Sequence, residues 1–180
     1  MPKLFLPLPL IPSLMLLALY WGLAQAQPEP NVRYEPSPMN VVQTMTDLAA
    51  VSSADVVYDL GCGDGRIVIA AAKLGARAVC VDIDPVRIAE ARENARGEGV
   101  AERIAFRNQD LFAVDLSEAS VVMLFLSPEF NLKLRPRLEK LASGTRIVSH
   151  WHSMGHWKPQ KSLKVPHGLR AHPVYLWVIP

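Results

Sequence analysis

Val57-Tyr58-Asp59-Leu60-Gly61-Cys62-Gly63-Asp64-Gly65-Arg66 reads as an apolar strand that enters a glycine-rich turn and leaves it as a helix. This is how an α/β sheet presents backbone N–H groups to a nucleotide-like ligand. Glycines at alternate positions remove Cβ atoms that would hold a ligand away from the backbone, and they accept the positive φ of a tight turn. Asp59 stands at the strand end, facing whatever the turn cradles. The glycines follow Gly61-x-Gly63-x-Gly65 and not the G-x-G-x-x-G of a dinucleotide turn, which argues against a nicotinamide dehydrogenase. Two acids, Asp59 and Asp64, would repel a pyrophosphate. They suit a ligand with a positively charged end.

A second apolar run, Ala78 to Asp82, ends in an acid roughly 20 residues downstream, where a carboxylate accepts hydrogen bonds from ribose hydroxyls. Asp82 takes that role, with Ile83 beside it. Asp84 has a plainer purpose, because Asp before Pro85 is a helix N-cap with proline at the first helical position. A third run, Arg103 to Arg107, leads into Asn108-Gln109-Asp110-Leu111.

With these three segments in order, the chain resembles the class I S-adenosylmethionine-dependent methyltransferases. The resemblance implies S-adenosylmethionine as cofactor, held by Asp59, Gly61, Cys62, Gly63, Gly65, Asp82 and Ile83, with Asp110 and Leu111 at the adenine. It also implies that the last apolar strand, Val174 to Ile179, inserts antiparallel into the sheet.

Strands are expected near 55–60, 78–82, 103–107, 120–126, 145–149 and 173–179. Helices are expected over Met39 to Val51 and near 66–74, 85–97 and 129–141. Such alternation predicts an α/β, doubly wound, mostly parallel sheet, and the resemblance implies its seven-stranded, Rossmann-like form with helices on both faces. The methyltransferase domain is placed at 39–180, behind a proline-rich approach segment, 27–38. A chain of 180 residues, half of them apolar, suffices for one core.

The formal charge of +2 gives no global case for nucleic acid as partner. After Glu139, however, there is no Asp or Glu, while Lys140, Arg146, Lys158, Lys161, Lys164 and Arg170 follow. A solvated basic face is the plain reading. A phosphate-bearing, acidic or membrane-surface partner is the sharper one.

Residues 1–26 read as a secretory signal: a positive start at Lys3, an apolar run from Leu4 to Gly22, and Ala24-Gln25-Ala26 as a cleavage sequence. Export, periplasmic or secreted, is the expectation. An uncleaved membrane anchor and a downstream, cytoplasmic start are the alternatives. Cys62 and Cys80 are expected to be free thiols, since a disulfide would constrain the loop that binds ligand.

A narrower resemblance rests on Tyr34, Pro36, Ser37 and Pro38 together with the glycine turn and Ser127-Pro128-Glu129-Phe130-Asn131-Leu132. These look like a bacterial branch related to the small protein-lysine methyltransferases of mitochondrial carriers and ATP synthase subunits. What this implies is methyl transfer to a protein lysine or a similar amine, with a small-molecule acceptor or a non-catalytic nucleoside-binding module as alternatives. Ser127-Pro128-Glu129-Phe130 lacks the Asn/Asp-Pro-Pro-Phe/Tyr of enzymes acting on planar nitrogens, which argues against a nucleobase acceptor. Neutralising a lysine at pH 7 costs about 4.6 kcal/mol, so a group must orient or take the proton. Glu129 is the candidate, although it also suits the first turn of a helix. Tyr34, Ser127 and Trp151 are candidate acceptor-side residues. The five histidines all lie between His150 and His172, and His150 and His152 share a side if the fifth strand continues. With no cysteine or carboxylate among them, no metal is assigned. They are expected to wall the acceptor pocket.

Overall fold

The computed structural model describes residues 34–180. The signal-like segment 1–26 and the start of the proline-rich approach lie outside the described residues. The elements are α1 (Met39–Leu48), β1 (Val56–Leu60), α2 (Arg66–Lys73), β2 (Arg77–Asp82), α3 (Pro85–Gly97), β3 (Ile104–Asn108), β4 (Val121–Leu124), α4 (Pro128–Leu138), β5 (Arg146–His150), β6 (Lys161–His167) and β7 (Arg170–Val178).

The seven strands form one sheet in the order β3-β2-β1-β4-β5-β7-β6. β1 pairs parallel with both β2 and β4, and β2 with β3 and β4 with β5 are parallel as well. β7 runs antiparallel between β5 and β6, as the resemblance implied. Strand order reverses between β1 and β4. In an open α/β sheet that reversal opens a crevice at the carboxyl ends of the strands.

Alternation along the central strands separates two cores. Val57 and Cys80 face a layer that α1, α2 and α3 cover, with Val41, Met45, Val68 and Ala91 packed into it. Tyr58, Leu60, Val81 and Leu124 face the other layer, closed by Leu134 and Leu138 of α4 and by Val114 and Leu116. Every residue of β1 and β4 is buried, which is why those runs are apolar throughout except for Asp59. Fully burying one such apolar side chain contributes about 1.5–3 kcal/mol, so the two layers fix the strand register.

β6 is absent from the sequence expectation. It is an edge strand with only Val165 buried, and Lys161, Ser162, Lys164 and Pro166 mask any apolar period. β7 begins at Arg170, ahead of the expected 173, because it extends outward to pair with β6. α4 starts at Pro128, capped by the Ser127 hydroxyl, which accepts from Phe130 N at 3.3 Å.

Candidate active site

All three turn glycines take positive φ: 82° at Gly61, 53° at Gly63 and 82° at Gly65. A Cβ at Gly63 would lie 2.5 Å from the Tyr34 ring, and one at Gly61 would lie 2.9 Å from a Leu126 methyl. Tyr34 thus closes over the turn from the approach segment. Arg87 lies over its ring, 4.4 Å from the centroid.

A cavity of ≈ 370 Å³ opens at the switch point. Asp59, Gly61, Cys62, Gly63, Asp82, Ile83, Asp110 and Leu111 line it, and so do Tyr34 and Glu129. Gly65 lies behind the lining, where its absent Cβ lets the first turn of α2 approach Ala91 of α3. Ser127 is spent on the helix cap and lines no described cavity. Arg66, Phe112, Phe125, Phe130 and Lys133 also line the first cavity, although sequence reasoning assigned none of them a role in the site. Phe112 and Phe130 meet edge to face at 5.2 Å.

The acids differ sharply in state. Asp59 is 1% exposed, and its Oδ2 is buried without a hydrogen-bond partner. Burial, with Asp82 and Asp64 nearby, pushes its pKa well above the usual carboxylate range. Asp82 is anchored by accepting from Gly63 N at 2.9 Å and from Asp84 N at 3.0 Å, so it sets the shape of the glycine turn. Asp64 is not the free charge that its position suggested. Burial raises its pKa, but the Arg66 guanidinium and backbone N–H outweigh that, and it titrates below the usual range. Arg66 also donates to the Ser37 carbonyl at 2.8 Å, tying the approach segment to the turn.

Cys62 and Cys80 form a disulfide, correcting the expectation of two free thiols. Asp59 pairs with Cys80 across β1 and β2, which places the second cysteine beside the turn that holds the first. The bridge sits on the helix-covered side of the turn, so it fastens the cradle without filling it.

A second cavity, ≈ 690 Å³, adjoins the first. Glu35, Pro36 and Phe125 line both cavities. Trp151 and four of the histidines, 150, 152, 167 and 172, line the second. Trp157 packs on Trp177, with ring centroids 5.7 Å apart. The alternation expected for His150 and His152 fails because Trp151 adopts φ 71°, which ends β5 at His150. Among the described residues no group of three or more His, Cys, Asp or Glu is arranged to hold a metal ion.

The model of the ANTKMT methyltransferase domain matches residues 59–161. A protein-lysine N-methyltransferase of Saccharolobus islandicus (strain REY15A) is 48% identical over 153 residues, covering 83% of this chain and 95% of that protein. The adenine nucleotide translocase lysine N-methyltransferase of Mus musculus is 35% identical over 105 residues, which span 57% of this chain but only 46% of the mouse protein. Among solved structures, an RNA methyltransferase from Salinibacter ruber in complex with S-adenosyl-L-homocysteine is 49% identical with a TM-score of 0.76, covering 81% of this chain and 94% of that one.

Proposed function

The chain belongs to the ANTKMT methyltransferase domain family, and from that premise we propose that it methylates the side-chain amine of a protein lysine. It is a class I S-adenosylmethionine-dependent methyltransferase, and its residues fit that cofactor. The buried Asp59 carboxyl has a free Oδ2 beside a glycine turn that any Cβ would obstruct. Asp82 keeps lone pairs for ribose hydroxyls after its two backbone bonds, and Leu111, Phe112 and Phe130 supply apolar walls for a ring. Bound S-adenosylmethionine supplies an electrophilic methyl group on a sulfonium. Positioning then carries much of the rate, because the leaving group is already good.

The acceptor reading rests on one observation above others. The cofactor-sized cavity shares Glu35, Pro36 and Phe125 with a neighbouring cavity walled by aromatic and imidazole rings. Flat rings suit the methylene stem and the cation of a lysine, and Glu35 supplies a carboxylate where the ammonium passes. The Saccharolobus islandicus lysine methyltransferase, matched over nearly its whole length, supports the same reading. The Salinibacter ruber structure carries the name of an RNA enzyme, which makes RNA the competing acceptor.

Incubating the purified protein with methyl-labelled S-adenosylmethionine and a cell extract, split into protein and RNA, tests this directly. Label in protein, recovered as methyl-lysine by mass spectrometry, is expected. The Glu129→Gln variant reports whether that carboxylate takes part. Label confined to RNA, or none with cofactor bound, overturns the acceptor.

Export belongs to the same proposal. The signal-like first 26 residues and a Cys62–Cys80 bridge both suit an oxidising compartment. Cell fractionation with alkylation of free thiols is expected to find the protein outside the cytoplasm with both cysteines protected. A cytoplasmic protein with two alkylated cysteines contradicts it.

A further inference from the structure

Ser37, His150 and His172 form an unbroken hydrogen-bonded row from the lining of the first cavity to that of the second. Ser37 Oγ lies 2.8 Å from His150 Nδ1, and His150 Nε2 lies 2.9 Å from His172 Nδ1. Ser37 is buried and lines the cofactor cavity, His150 is fully buried, and His172 is half-buried on the wall of the second cavity. The row therefore begins at the wall of the cofactor cavity and ends at the half-exposed wall of the second. The remaining nitrogen, His172 Nε2, is its outer terminus.

We propose that this row carries the proton of the acceptor ammonium out of the active site. The proposal rests on the lysine reading, since that substrate arrives with a proton it must lose before it can attack. Ser37 Oγ takes a proton from the ammonium while giving its own to His150 Nδ1. The proton on His150 Nε2 passes to His172 Nδ1, and the proton on His172 Nε2 leaves to water. One proton departs, and the amine left behind has the lone pair that accepts the methyl group.

This direction requires both imidazoles to be neutral, with their protons on Nε2. Burial lowers the His150 pKa to about 4, with neighbouring His172 and His152 adding to the effect. Burial also lowers that of His172, as do His167 on β6 and Arg170 on β7, while Glu35 on the approach segment works the other way. Neither ring holds a standing charge at pH 7, so each can receive a proton and pass one on. Phe125 lies against His150 with ring centroids 4.0 Å apart, and Trp151 meets His150 and His172 edge to face at 6.1 and 4.8 Å.

Three measurements test it. In single-turnover methyl transfer at pH 7, His172→Gln keeps an acceptor for His150 Nε2 but relays nothing, and is expected to be slower by about 10- to 100-fold. Its affinity for S-adenosylmethionine should be unchanged. Ser37→Ala, which cuts the inner end, should show the same rate loss. Above about pH 11, where most of the acceptor amine is neutral in solution, the rates of wild type and His172→Gln should converge. A merely structural role would leave the deficit in place at every pH, and that result, or equal rates at pH 7, overturns the proposal. Independently of activity, nitrogen NMR of the histidine-labelled wild-type protein should show both rings neutral and Nε2-protonated. Nδ1-protonated rings would also overturn it, whether or not a variant folds. A wild-type protein that makes no methyl-lysine would instead fail the acceptor reading, leaving the tautomer result to stand by itself.

Discussion

A single carboxyl group concentrates the conflict between stability and binding in this protein. Asp59 is buried with one oxygen unpaired, and its pKa is raised well above the usual value, first by burial and then by Asp82 and Asp64. A group whose folded pKa is raised binds its proton more tightly in the native state. The contribution of this group to ligand-free stability is therefore greatest below the unfolded value of about 3.9 and is lost as pH rises through the folded pKa. Asp59→Asn removes that penalty. The ligand-free variant should melt above wild type at pH 7, each 1 kcal/mol appearing as about 2–4 °C, and the difference should close toward pH 4. Its affinity for S-adenosylmethionine should nevertheless fall by at least about tenfold, because the counter-charge is lost. Thermal melts across pH, paired with calorimetric titration, measure both effects, and coincident melting curves at pH 7 would show that the buried acid costs nothing.

At the scale of elements, the loop after β3 is held from the opposite side of the cavity. Arg137, on the last turn of α4, donates to the carbonyls of Leu111, Phe112 and Val114. Asp110 meanwhile accepts from Phe112 N at 2.8 Å, forming a local turn. The guanidinium fork reaches three carbonyls at once, which an ammonium on a flexible stem does not reproduce. Arg137→Lys should weaken S-adenosylmethionine binding about three- to tenfold, with stability lower by about 1 kcal/mol. Equilibrium binding and denaturant melts check this. Unchanged affinity would mean that the Asp110 turn alone positions the loop. The sequence marked Asp110 and Leu111 as ligand residues, yet held no sign of Arg137, whose role depends on a packing between segments that no local pattern encodes.

For the whole molecule, legibility followed burial and locality. The parallel half of the sheet was readable because its central strands β1 and β4 are buried on both faces and its turns carry glycine, proline and capping acids in local order. β6 was not, since an exposed edge strand has no hydrophobic period to read. The disulfide escaped for a different reason: its distance depends on the register of β1 with β2, while the freedom a binding loop needs pointed the other way. The cofactor cavity was mostly legible, while the second cavity needed the approach segment, β5 and the β6–β7 hairpin to be brought together in space.

The sheet's two margins carry one more implication. Among the described residues, β3 and β6 each present a row of backbone donors and acceptors with no neighbouring strand, which is the template on which chains aggregate. Arg103 flanks β3 and Arg107 lies within it, while β6 carries Lys161, Lys164 and Pro166. The positive charge that gathers after Glu139 is thus partly a colloidal safeguard. It repels a second copy from the longer exposed edge, and Pro166 removes one of the donors that a β-stacked assembly would use.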